Sequence, residues 1–240
     1  MKKFQTVFKR YEKKYIVTFE QAQNFLKLIE EYVVPDKYGK STICNIYFDT
    51  PDFRLIRNSI EKPVFKEKLR IRSYGCPTAE SNVFVELKRK YKGVIYKRRV
   101  DTPYIDAVNY LLKKRRPEGH NEQILNELDY FMSFYKKLQP AVSLFYDRIA
   151  FYSKDDKEIR ITLDSNIRFR TKNFDLAKGS FGNSILEENK AIMEIKCLGA
   201  MPLWMSDALD ELSVYPASFS KYGEAYKQII SPKETLSYAK

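Results

Sequence analysis

The chain has 240 residues, with 43 Lys and Arg against 31 Asp and Glu, for a formal net charge of +12 at neutral pH. That length buries a sizeable core in a single domain over residues 1–240, no stretch nears the roughly 18 apolar residues of a membrane helix, and the surplus of cations favours polyanionic partners. Three widely spaced cysteines, Cys44, Cys76 and Cys197, without a C-x-x-C pair disfavour a disulfide framework or zinc site and fit a soluble chain in a reducing cytoplasm.

From Phe8 to Val17 alternation predicts a strand with Arg10, Glu12 and Lys14 on one side and Tyr11 and Tyr15 on the other. Thr18 and Gln21 form a capping-box pattern opening an amphipathic helix through about Tyr32, built on Ala22, Phe25, Leu26 and Ile29. A strand over Thr42 to Phe48 breaks at Asp49, Thr50, Pro51 and Asp52, which begin a short helix. Lys66, Lys68, Arg70 and Arg72 then recur at two-residue spacing, interleaved with Phe65, Glu67, Leu69 and Ile71. On a strand this spacing puts four cations on one face and the apolar set on the other.

Val83 to Tyr91 repeats the design, with Glu86, Lys88 and Lys90 opposite Val83, Val85 and Leu87. Lys92 and Gly93 predict a hairpin turn into a strand carrying Lys97 and Arg99. Helices are expected from Pro103 to Lys114 and from Glu122 to Leu138, with Arg115 and Arg116 as solvated charges between them. Strands follow over Ala141 to Tyr152, Glu158 to Asp164 and Ala191 to Cys197, then a helix from Pro202 to Leu212, and Ser218 to Tyr222 leads into a closing helix. The expected fold class is α+β: eight antiparallel strands closed into a barrel tunnel, with helices packed outside.

A row of cations is self-repulsive unless water, acids or an anion shields it. One such strand alone is explained by the wet face of an antiparallel sheet. Recurrence on several strands points instead to a lumen that replaces the hydration of a phosphate chain with charge-assisted bonds. Glu12, Glu86, Asp164 and Glu194 fall on the same predicted face as Lys14, Lys88, Arg160 and Lys196. Such carboxylates serve either as ligands to Mg²⁺ or Mn²⁺ or as salt-bridge partners that relieve repulsion.

Other catalytic schemes find little support. There is no G-x-x-x-x-G-K-[ST], H-E-x-x-H or G-x-G-x-x-G, so a phosphate site here is built from side chains. His120, the one histidine, sits in a charged turn and reads as a surface residue; the cysteines read as packing groups and Trp204 as an anchor near a helix start.

Several motifs taken in order resemble the triphosphate tunnel metalloenzymes, or CYTH superfamily, and within it the polyphosphate polymerase domain of the vacuolar transporter chaperone (VTC) type. They are Arg10-Tyr11-Glu12-Lys13-Lys14-Tyr15, Tyr47-Phe48-Asp49-Thr50-Pro51-Asp52, Lys68-Leu69-Arg70-Ile71-Arg72-Ser73-Tyr74-Gly75 and Glu86-Leu87-Lys88 with Tyr96-Lys97-Arg98-Arg99. Tyr146-Asp147-Arg148, Arg160-Ile161-Thr162-Leu163-Asp164, Met193-Glu194-Ile195-Lys196 and Ser220-Lys221-Tyr222 complete the set.

The resemblance implies transfer of the γ-phosphoryl group of ATP to a polyphosphate chain. It makes Lys14, Arg70, Arg72, Lys97, Tyr146, Arg148 and Lys221 catalytic candidates, and Lys68, Lys88, Arg99, Arg160, Lys196 and Ser220 substrate-binding ones. Glu194, Glu86 and Glu12 are the implied ligands of Mn²⁺ or Mg²⁺, Glu194 foremost. Arg10 stands where the hydrolase and cyclase branches carry the first glutamate of E-x-E-x-K, which favours the polymerase branch. No SPX domain or membrane segment is present, so coupled translocation is not expected unless a membrane partner provides it. A tunnel triphosphatase and a non-catalytic polyphosphate-binding module need the same anion grip and remain alternatives. A nucleic-acid binder would need accessible outer cations with stacking aromatics; nucleic acid is not the expected partner.

Overall fold

A computed structural model describes residues 10–119 and 121–237; His120 and the expected strand start at Phe8 lie outside the described residues. In chain order the elements are β1 (Arg10–Thr18), α1 (Phe19–Leu28), β2 (Val33–Pro35), β3 (Ser41–Asp49), α2 (Arg54–Ile60), β4 (Phe65–Tyr74), β5 (Asn82–Tyr91) and β6 (Val94–Pro103). After these come α3 (Tyr104–Lys113), α4 (Glu122–Tyr135), β7 (Gln139–Ser153), β8 (Arg160–Arg170), β9 (Asn183–Ser184), β10 (Lys190–Leu198), α5 (Leu203–Glu211) and α6 (Lys221–Ser237).

The strands pair antiparallel in the order β1-β10-β8-β7-β3-β4-β5-β6, with β2 on β7 and β9 on β8. The α+β class and the antiparallel pairing stand as read, and one expectation is corrected. The strands number ten rather than eight, because β2 and β9, which lie off the eight-strand path, are three and two residues long, too short to show an alternation. Among the described residues the path runs from β1 to β6 without a recorded ladder between those two strands. Alternation reports which face a side chain takes and says nothing about which strand lies next door.

Two compact units are distinguished. The first takes its described residues from Met1–Ser41, Asp147–Asn166 and Leu186–Phe219. Its core joins Tyr15 and Val17 of β1 to Ile161 and Leu163 of β8 and Ala191, Met193 and Ile195 of β10. Phe25 of α1 and Met205 and Leu209 of α5 cover that apolar face. The capping box of α1 forms as read, with the Gln21 amide N–H donating to Thr18 Oγ1 and Thr18 N–H to Gln21 Oε1, both at 3.0 Å. The helix stops at Leu28 rather than Tyr32, and the Tyr32 ring instead stacks on Trp204 at 4.7 Å.

The second unit takes its described residues from Thr42–Tyr146, Ile167–Ile185 and Ser220–Lys240. Cys44, Ile46 and Phe48 of β3, Leu69 and Ile71 of β4, and Val83, Val85 and Leu87 of β5 bury one sheet face under Tyr110 of α3 and Leu128 and Phe131 of α4. Each fully buried Leu, Ile or Phe of this kind contributes about 1.5–3 kcal/mol. The predicted hairpin turn forms with Lys92 at φ 45° and Gly93 at φ 85°, the pair of positive values that matches strand twist. Among the described residues no helix is long and apolar enough to cross a membrane.

The segment after β8 is held by one buried cation. Arg170 donates to the carbonyl oxygens of Asn173, Asp175 and Gly179 at 2.7 Å each and of Phe181 at 3.3 Å, while its guanidinium lies over the Phe145 and Phe181 rings. At Gly182 the chain passes so close to β8 that a Cβ would stand 2.4 Å from the Phe169 carbonyl oxygen. Gly182→Ala is therefore expected to lower the unfolding free energy by about 2 kcal/mol or more, read as a lower urea midpoint with an unchanged slope.

Candidate functional site

The alternation of β4 puts Lys66, Lys68, Arg70 and Arg72 opposite the buried positions Glu67, Leu69, Ile71 and Ser73. Antiparallel register then converts that row into rungs across neighbouring strands. One rung runs Tyr47, Arg70, Glu86, Arg99 through β3, β4, β5 and β6. The adjacent rung, Lys68, Lys88, Lys97, places three ammonium groups in line. Like charges placed directly opposite are unfavourable, so such a row calls for negative charge nearby.

Glu86 supplies part of it. Its carboxylate is 1% exposed and accepts from Arg70 Nε at 2.8 Å and Nη2 at 2.6 Å, with Lys97 Nζ on its other oxygen and Arg72 Nε at 3.7 Å. Burial by itself would raise its pKa, but Arg70, Arg72 and Lys97 outweigh that and bring it down to about 2. Burial together with Arg72 and Arg70 lowers the pKa of Lys97 despite its bond to Glu86. Arg70 is held charged against its own burial by Tyr47 and Glu86, and its Nη1 donates to the Tyr47 hydroxyl at 3.0 Å.

Other predicted residues of this unit join the same face. Lys68 Nζ donates to Ser220 Oγ at 3.1 Å, Lys221 Nζ lies 4.7 Å from the Tyr146 ring centre, and Arg99 lies 4.3 Å from that of Phe84. Tyr222 explains how Ser220 and Lys221 arrive there: its hydroxyl donates to Asp49 Oδ2 at 2.9 Å, and its ring stacks on Tyr47 at 4.8 Å. Asp49, fully buried, also accepts from the Thr50, Leu55 and Ile56 amides and so anchors the start of α2. Burial raises the pKa values of both Asp49 and Tyr222.

Tyr47, Asp49 and Tyr222 lie within the motifs, and the structure gives them this supporting role. The signal for Tyr47 and Asp49 was available, since both share the face of β3 opposite Cys44, Ile46 and Phe48. Nothing local links them to Tyr222, which is 173 residues from Asp49.

The first unit holds the remaining candidates. Glu12 faces Lys196 and Lys14 faces Glu194 across the β1–β10 ladder, a checkerboard of opposite charge. Lys14 Nζ lies 3.7 Å from Glu12 and 3.6 Å from Glu194, and Lys196 Nζ lies 3.9 Å and 3.5 Å from the same two carboxylates. Lys14 also donates to the Phe219 carbonyl oxygen at 3.0 Å. Arg148 forms a two-pronged pair with buried Asp164 at 2.6 and 2.7 Å. Arg160 reaches Asp36 at 3.5 Å and lies over the Tyr152 ring.

Of the three implied metal ligands, Glu12 and Glu194 are thus set together and flanked by two ammonium groups, whereas Glu86 is clasped by Arg70 and Lys97. Among the described residues no group of three or more His, Cys, Asp or Glu is assembled for a metal. A hard divalent ion commonly uses one or two carboxylates and draws its remaining oxygens from substrate phosphates, so the Glu12 and Glu194 donor set fits such an ion.

The chain matches the family model of the VTC domain over residues 9–230. It is 28% identical over 148 residues to vacuolar transporter chaperone complex subunit 4 of Schizosaccharomyces pombe, a match covering 53% of this chain and 20% of that protein, so the aligned part spans about a fifth of the relative's length. Among solved structures, a candidate adenylate cyclase from Bacillus halodurans superposes with a TM-score of 0.52 at 15% identity, covering 87% of this chain and 92% of that one, which shows a shared fold.

The Glu86 cluster predicts a pH dependence with a definite sign. Because its carboxyl pKa falls from 4.5 to about 2 on folding, its contribution is complete above pH 4.5 and is lost as pH falls toward 2. Urea unfolding followed between those limits is expected to show the wild-type chain losing roughly 3 kcal/mol more than Glu86→Gln, with the variant already less stable at neutral pH.

Proposed function

Because the chain belongs to the VTC domain family, we propose that it is a metal-dependent polyphosphate polymerase that transfers the γ-phosphoryl group of ATP to the end of a polyphosphate chain. The observation that carries this reading is the rung of Lys68, Lys88 and Lys97 beside the Arg70, Arg72 and Glu86 cluster. Such a face offers many charge-assisted donors at the strand repeat. In the transfer, a terminal polyphosphate oxygen forms a bond to the γ-phosphorus as the bond to the β,γ-bridging oxygen breaks and ADP leaves. Charge on the transferring group is spread over its equatorial oxygens, so positioning and neutralisation supply most of the catalysis.

Arg70, Arg72 and Lys97 hold the phosphate chain in this reading, with Glu86 keeping their side chains in place. Lys68, oriented through Ser220, and Lys221, resting on the Tyr146 ring, extend the grip. In the first unit Lys14, Lys196, Arg148 and Arg160 are phosphate-binding candidates in their own right, each already oriented by a carboxylate. Glu194 and Glu12 hold Mn²⁺ or Mg²⁺, which supplies neutralisation of phosphate charge. The reading includes closure of the alternating strands into a single-domain tunnel and a cytoplasmic setting. A tunnel triphosphatase is the second reading, because the same cations would hold a triphosphate for attack by water.

Incubation with ATP, Mn²⁺ or Mg²⁺ and a short polyphosphate primer tests both, with products resolved on gels alongside phosphate release. Long chains together with ADP are expected; orthophosphate without chains would transfer the assignment to the triphosphatase. Glu194→Ala is expected to cut metal-dependent turnover by at least about 100-fold while leaving salt-sensitive polyphosphate binding intact, and unchanged turnover would remove Glu194 from the site. Arg70→Ala combined with Arg72→Ala is expected to weaken polyphosphate binding itself by about 100-fold or more, roughly 3 kcal/mol, with circular dichroism confirming the fold.

A further inference from the structure

A buried hydroxyl in the first unit makes no hydrogen bond within the chain. Thr162 of β8 is 1% exposed, and among the described residues its Oγ1 has no hydrogen-bond partner. Buried polar side chains almost always find one, because an unsatisfied group forfeits its hydration without return. Valine would fill nearly the same space without that cost, so the chemistry of the oxygen has to account for threonine here.

Register says what this oxygen faces. Thr162 lies directly opposite Glu194 of β10, which in turn lies opposite Lys14 of β1. Ile161 and Leu163 turn into the apolar core, so Thr162 takes the other face of β8 together with Arg160 and Asp164. Side chains directly opposite on one face stand about 4.5–5.5 Å apart at Cβ. The hydroxyl of Thr162 and the carboxylate of Glu194 are therefore neighbouring oxygen groups. Glu12 joins them through the two lysines that it shares with Glu194.

Two unsatisfied atoms of β8 separate by chemistry. Arg160 Nε, on the adjoining rung with Lys196 and Glu12, is also buried without a hydrogen-bond partner among the described residues. It can only donate, which suits a phosphate oxygen. The Thr162 oxygen carries two acceptor lone pairs and faces a carboxylate, an arrangement that repels phosphate and favours a cation. Hard divalent ions take oxygen ligands, charged and neutral together, and a Ser or Thr hydroxyl holds Mg²⁺ in the G-x-x-x-x-G-K-[ST] loop. A hydroxyl adds an oxygen without adding charge, so Lys14 and Lys196 still balance the two carboxylates.

We propose that Thr162 Oγ1 is a third protein oxygen, beside Glu194 and Glu12, for the Mn²⁺ or Mg²⁺ of this site. The proposal rests on the metal-dependent reading above and adds to it a residue on β8. Mn²⁺ binding to the full chain without nucleotide, followed by electron paramagnetic resonance, and thermal unfolding with Mn²⁺ or with chelator test it. Thr162→Val is expected to weaken Mn²⁺ by about tenfold or more, a loss on the scale of residues that tune metal sites. Thr162→Ser keeps the hydroxyl and is expected to bind like wild type. In chelator Thr162→Val is expected to melt no lower than wild type, since it loses an unsatisfied group, yet to gain less from Mn²⁺. A merely structural hydroxyl would give the reverse, a lower melting temperature in chelator with unchanged Mn²⁺ affinity, and would overturn the proposal.

Wild-type Mn²⁺ affinity in Thr162→Val alongside weakened affinity in Glu194→Ala would overturn the Thr162 assignment alone. Wild-type affinity in both variants would remove the metal from Glu194 and this proposal with it. Weaker tripolyphosphate binding by Thr162→Val in chelator, with Mn²⁺ affinity unchanged, would make Thr162 a phosphate donor and overturn it as a metal ligand.

Discussion

The basic face exists because a buried carboxylate holds it together. Cations at every second position of β4 and on its neighbours would repel one another in the folded state, and folding concentrates them further by aligning rungs. Glu86 offsets that repulsion at the point of highest density, contacting Arg70, Arg72 and Lys97 from a side chain that is almost wholly inaccessible. Its depressed pKa is the measure of how strongly the three cations need it. The lysine rung alongside shares that carboxylate through Lys97.

The opposite face of the same strands solves a different problem with the same residue types. Glu67, on the apolar side of β4, accepts from Arg89 at 2.7 Å and from the Tyr135 hydroxyl at 3.0 Å. Arg89 and Arg98 then both reach Glu127 of α4, at 2.8 and 2.9 Å. These pairs satisfy one another and seat α4 on the sheet. Charge balance, rather than the mere presence of arginine, therefore separates the two faces. One face pairs Arg89 and Arg98 with Glu67 and Glu127, and the other gathers Arg70, Arg72 and Lys97 on Glu86.

Elements with a repeating local pattern were legible along the chain. The alternation of β4 and β5, the Thr18 and Gln21 cap and the turn at Lys92 and Gly93 each depend on residues within a few positions of one another, and each forms as read. The short β2 and β9 carry too few residues for any period to show. Helix α1 ends a turn early at Leu28, and Tyr32 stacks on Trp204, a partner 172 positions away that no local pattern announces.

The candidate site divides along the same line. Sequence alone determined which side chains share a strand face, because successive residues of a strand point to opposite sides whatever the fold. It therefore placed Lys68, Arg70, Arg72, Glu86, Lys88 and Lys97 on charged faces, and Glu12, Lys14, Glu194 and Lys196 likewise. Only the tertiary structure decided how those charges are paired: Glu86 clasped by Arg70 and Lys97, Glu12 and Glu194 sharing two lysines, Asp164 taken by Arg148, and Tyr222 tied to Asp49. Pairing depends on strand neighbours and register, and both are set by contacts between residues far apart in the chain.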